Sequence, residues 1–152
     1  MSSELQAHYV RLEAGAPAPW FVQRNTSNPN YVFSSVAGRY VVMCFFLSAG
    51  DAIGRMTIDA VQSHQNIFDD NKACFFGIST DPDDEINKRI FEQVPGIRYF
   101  WDFDSRVSRA YGAMPVNQSK IAPIVHGRRF WLILDPTLRI MKSFPMISNG
   151  AN

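Results

Sequence analysis

Cysteine is scarce, at two residues in 152, Cys44 and Cys74. That excludes a small scaffold stapled by disulfides. Each cysteine lies inside an apolar stretch, so the expectation is a pair of reduced thiols in an intracellular, cytoplasmic protein. Long hydrophobic runs are missing. None approaches the ~20 residues of a membrane span, and no membrane association is expected. The N-terminus, with Glu4 and polar neighbours, lacks the apolar segment of a secretory signal. An excess of either charge is missing too: 15 basic residues face 14 acidic ones, a formal net charge of +1. Nothing in that balance pulls the chain toward nucleic acid. The three histidines, His8, His64 and His126, stand far apart, so no metal-ligand spacing forms. There is no glycine-rich phosphate loop, no nucleophile elbow and no internal repeat. Neither a cofactor nor a metal is expected.

What is present is hydrophobic substance, 46% of residues, enough for one domain with its own core. The stretch from Arg39 to Pro82 organises it. Tyr40 to Phe46 is a continuous apolar run, the pattern of a strand buried on both faces. Ser48-Ala49-Gly50-Asp51 breaks it. Ile53, Met56, Ala60, Val61, His64, Ile67 and Phe68 recur every three or four residues, which predicts a helix with that set as its inner face. Cys74 to Ile78 is a second buried strand, ended by Ser79-Thr80-Asp81-Pro82. The result is a βαβ unit. In such sheets ligands sit outside the carboxyl ends of the strands, which directs interest to the turn from Leu47 to Arg55.

Around this unit, Tyr9, Val10 and Leu12 suggest a short edge strand, and Trp20-Phe21-Val22 pairs with Tyr31-Val32-Phe33 across a turn rich in asparagine. Ser34 to Gly38 reads as one helical turn stopped by glycine. Asp81-Pro82-Asp83-Asp84 starts a helix, its aspartates acting as caps. Ile86, Ile90, Phe91 and Val94 carry that helix for two to three turns to Pro95-Gly96. Asp69-Asp70 reads as a solvated helix end. Ile97 to Trp101 is a strand, Val107 to Tyr111 a small helix, and 113–127 a loop. Arg129 to Asp135 and Leu138 to Phe144 form a C-terminal hairpin about Pro136-Thr137. The expected organisation is an extension at 1–15, a domain at 16–147 and a polar tail at 148–152.

Several segments carry a resemblance in this order. Ala16-Pro17-Ala18-Pro19-Trp20-Phe21 resembles an x-P-A-P-x-F opening. Gly77-Ile78-Ser79-Thr80-Asp81 resembles a G-I-S-x-D strand end. Trp101 to Asp104 and Ser108 to Gly112 resemble S-D-x-D and A-x-A-Y-G. Arg129 to Pro136 resembles R-x-x-F-x-I-D-P. Together they resemble the peroxiredoxins, the alkyl hydroperoxide reductase and thiol-specific antioxidant family. The resemblance implies an α/β thioredoxin-like fold: a central mixed sheet flanked by helices, with an N-terminal and a C-terminal hairpin. It also implies an oxidoreductase that reduces peroxides with a thiolate in a P-x-x-x-T-x-x-C turn. Counted from the strand, those three positions fall on Ser48, Ala52 and Arg55, and no cysteine exists between Phe45 and Ala73. The family's partnering arginine matches Arg129.

The expectation is therefore a binding domain that has lost thiol peroxidase activity. The alternative is an active antioxidant enzyme using Cys44 or Cys74. Two small core residues in adjacent strands are the plainer reading of those thiols. Ser48, Asp51, Arg55 and Arg129 make the candidate binding set: two guanidiniums and a helix N-terminus that could hold a small anion. The competing reading pairs either arginine with Asp51 or another acid. Candidate partners are a second copy of the chain, another protein, or a covalently linked downstream domain. The resembled fold carries a last helix after its hairpin. The polar tail here suggests none, which would leave Ile140, Met141 and Phe144 uncovered as a partner surface.

Overall fold

Two-residue alternation decides how the apolar runs pack, since successive strand side chains point to opposite faces. The computed structural model describes residues 7–90, 95–117 and 127–146. Its strands are β1 (Val22–Gln23), β2 (Tyr31–Val32), β3 (Tyr40–Leu47), β4 (Ala73–Ser79), β5 (Ile97–Trp101), β6 (Phe130–Leu134) and β7 (Ile140–Pro145). The helices are α1 (Ala52–Ser63), α2 (Pro82–Ile86) and α3 (Arg106–Ala110). β1 and β2 form the N-terminal hairpin. The others form one mixed sheet in the order β5-β4-β3-β6-β7. β3 runs parallel to β4, and β4 to β5; β6 and β7 are antiparallel to their neighbours.

Each face of this sheet carries a core. Val41, Met43 and Phe45 join Leu132, Leu134, Phe76 and Phe100 on the face that receives α3 and the first hairpin. Cys44 and Phe46 join Phe75, Tyr99, Trp101 and Val61 on the face that receives α1. Burial on both faces is why β3 and β4 read as unbroken apolar runs.

The structure corrects several expectations. Residues 7–12 form no strand; they cross the sheet face as irregular chain. The inner face of α1 is Gly54, Thr57 and Val61, with Met56 exposed at 64% and Ala60 and His64 also outside. The helix is rotated because Gly54 sits against the Ser48 carbonyl, where a Cβ would lie 1.7 Å from the oxygen. Close backbone approach, not the best apolar stripe, sets its orientation. α2 is a single short helix that ends at Asn87, with Ile86 exposed at 70% and Ile90 buried. Phe91 and Val94 lie outside the described residues, as do His126 and the tail. Asp70 is no solvated end: its carboxylate takes both guanidinium nitrogens of Arg98, at 3.0 and 2.9 Å. Ile140 is buried at 3%, because residues 15–18 lie along the start of β7. Met141 and Phe144 are exposed as expected.

Candidate functional site

The turn between β3 and α1 begins with an unusual backbone. Leu47 has φ of 68°, in the left-handed region that a branched side chain seldom enters. A register shift in the β3–β4 ladder falls between Phe45 and Leu47. The Leu47 carbonyl takes the Thr80 N–H at 2.9 Å, so the end of β4 holds the distorted turn.

Side chains then fill the turn with bonds. The Ser48 hydroxyl donates to Asp81 Oδ2 at 2.7 Å and accepts from the Gly50 N–H at 2.9 Å. Asp51 is the N-cap of α1 and accepts from the Gly54 N–H at 2.9 Å. Its second oxygen accepts from Arg129 Nη2. Arg129 also donates from Nε to the Phe46 carbonyl at 2.9 Å. Ser48, Asp51 and Arg129 thus come together at one turn, with Arg129 paired to Asp51. Arg55, one turn into the helix, is exposed and makes no ion pair among the described residues.

Sequence reasoning missed the centre of the arrangement. Asp84, read as a cap, is fully buried. Both its oxygens accept from the Ala49 N–H, at 3.1 and 2.9 Å, and Oδ2 also accepts from the Ser79 hydroxyl at 2.7 Å. Arg89 Nη1 donates to Asp84 Oδ1 and Asp81 Oδ2, both at 3.2 Å. The same guanidinium lies where a Cβ on Gly50 would come within 2.5 Å of it. A helix start needs one capping acid, and 81–84 holds three; that surplus was the available signal.

The thiols are elsewhere. Cys44 and Cys74 are free and fully buried in adjacent strands. Burial pushes the Cys44 thiol well up, against a smaller opposing pull from Arg129. Burial likewise pushes Cys74 up to about 12. Neither thiol has the exposure and positive surroundings that make a thiolate nucleophile.

A family model described as AhpC/TSA family matches residues 14–143. The chain belongs to the AhpC/TSA family. Among solved structures, this AhpC/TSA chain is similar to a yeast mitochondrial 1-Cys peroxiredoxin, with a TM-score of 0.76, 17% identity, and coverage of 90% of this chain and 68% of that one. It is also similar to a thiol peroxidase from Chromobacterium violaceum, with a TM-score of 0.70, 11% identity, and coverage of 92% and 80%. At such identities the likeness is one of fold, and it bears out the thioredoxin-like reading. No curated protein matches the sequence. No helix among the described residues is long and apolar enough to cross a membrane.

Proposed function

We propose that this AhpC/TSA domain has lost thiol peroxidase activity and serves as a binding domain. One observation carries the reading: both thiols are sealed inside the sheet with raised pKa, while the turn at the N-terminus of α1 holds none. Arginine at position 55 cannot replace a nucleophile, since it stays protonated. The buried, reduced cysteines suit the cytoplasm.

The turn supplies the recognition chemistry. Asp51 is an internal carboxylate seated on Arg129, with side-chain exposures of 41% and 17%. A carboxylate or phosphate from a partner would exchange with Asp51, with Arg55 as the second cation. The partner is a second copy or a linked domain that covers Met141 and Phe144 on β7, whose outer edge is free of described strands beyond Ile140.

The test is peroxide loss in the presence of a dithiol, with a Cys44→Ala, Cys74→Ala double mutant alongside. The expected result is equal, slow loss for both proteins. Rapid turnover that disappears in the double mutant would establish the enzyme instead. Light scattering across micromolar concentrations checks the self-association half, and a monomer throughout would leave only the linked domain.

A further inference from the structure

Arg128 and Arg129, immediately ahead of β6, send their charges to opposite sides of the sheet. Arg129 reaches Phe46 and Asp51 on the α1 side. Arg128 belongs to the other side, with Phe130 and Leu132, and its guanidinium carbon lies 3.5 Å from the centroid of the Tyr9 ring. There the segment 7–12 passes over the sheet. It is fastened by the Val116 N–H on the His8 carbonyl and the His8 N–H on Asn117 Oδ1, each at 2.8 Å. Gly112 permits the crossing: it has φ of 82°, and a Cβ there would come within 2.3 Å of the Val10 carbonyl oxygen.

A cavity of about 420 Å³ lies between that segment and the sheet. This is within the range of small-molecule sites, roughly 300–1,000 Å³. Its apolar lining includes Leu12, Phe130, Leu132 and the Tyr111 ring. The Tyr111 hydroxyl is already committed, donating to the Pro19 carbonyl at 2.6 Å. Arg11 and Arg128 supply the charge among the described residues of the lining, none of which is acidic. Neither arginine forms an ion pair among the described residues. Stacking on Tyr9 holds one guanidinium face while leaving its N–H edge free to donate.

We propose that this cavity binds a small amphiphilic carboxylate, its head on Arg11 and Arg128 and its apolar body against Phe130, Leu132 and Tyr111. A cation would meet two like charges. A neutral ligand would leave both guanidiniums unanswered. The apolar lining selects a head with a hydrocarbon body over a bare anion. The site is on the opposite side of the sheet from the α1 turn, so it stands or falls independently of the binding role given to Asp51 and Arg129.

The probe is 3-phenylpropionate, with 3-phenylpropanamide as its uncharged counterpart, titrated into nitrogen-15-labelled protein at fixed ionic strength. Saturable shifts are expected at the amides of Val10, Leu12, Gly112 and Ser143, with a millimolar or tighter midpoint for a ligand of this size. The amide is expected to bind about tenfold more weakly, the loss of a charge-assisted hydrogen bond. An Arg11→Gln, Arg128→Gln double variant should show the same tenfold loss while its unfolding midpoint falls by no more than a few degrees, since both residues are exposed and only the Arg128 stack on Tyr9 is lost. A Ser143→Trp variant, which keeps both cations and fills the cavity, should also abolish the shifts. Equal affinity for carboxylate and amide, undiminished binding in the glutamine variant, shifts that map elsewhere, or no saturation would each overturn the proposal.

Discussion

Replacing Asp84 with alanine should release the β3–α1 turn. The Ala49 N–H would lose its acceptor, and the Ser79 hydroxyl would keep only the Asp81 carbonyl at 3.4 Å; both residues are fully buried. An orphaned buried donor costs about 1–3 kcal/mol. Arg89 keeps Asp81 at 3.2 Å and adds little to the loss. One orphan and one weakened donor bracket ~2–4 kcal/mol by that figure. Against a total stability of about 5–15 kcal/mol that is a large fraction. At ~2–4 °C per kcal/mol for a domain of this size, the melting temperature should fall by ~4–16 °C. Urea unfolding followed by circular dichroism measures it. Asp84→Asn, which keeps one acceptor oxygen and loses the charge, should fall between wild type and Asp84→Ala. If Asp84→Ala loses less than ~1 kcal/mol with an unchanged dependence on urea, the carboxylate is not what holds the turn.

Three further outcomes are expected. Ellman's reagent at pH 8 should leave native Cys44 and Cys74 unlabelled over minutes and react with both in guanidinium; a Cys74 thiol near 12 is only about one part in ten thousand thiolate at that pH. Arg98 holds Asp70, and Arg24 holds Glu85, below the ordinary carboxylate range. The unfolded chain then binds more protons, so this stability is present above about pH 4 and is lost as pH falls through the depressed values. Buried Asp102 is shifted up and acts oppositely, its contribution present at low pH and lost as pH rises through its folded value. Arg98→Ala should therefore flatten the acid limb of a stability-against-pH curve; an unchanged limb would exclude the Asp70 pair as its source. Asp51→Ala should cost about 1 kcal/mol through the lost N-cap. It should also strengthen phosphate binding by calorimetry as Arg129 is freed, and unchanged phosphate affinity would argue against exchange at Arg129.

The mixed sheet was legible because its signals are local. Buried strands print unbroken apolar runs, the Asn25–Asn30 cluster marks a turn, and Asp81 announces a helix start that the structure confirms as a cap. The scarcity and placement of cysteine likewise followed from the chain alone, and both thiols lie inside strands. The inner face of α1 did not follow, because Gly54 against the Ser48 carbonyl outweighs a stripe that would have placed Met56 inside. Nor did the heart of the turn. Asp84 meets Ala49 from 35 positions away, and Arg89, five positions on, folds back over the same carboxylate as the chain leaves α2. A carboxylate's spelling is the same whether it caps a helix in water or anchors a buried turn. Only the packing of α2 against the ends of β3 and β4 removes the solvent and decides between them.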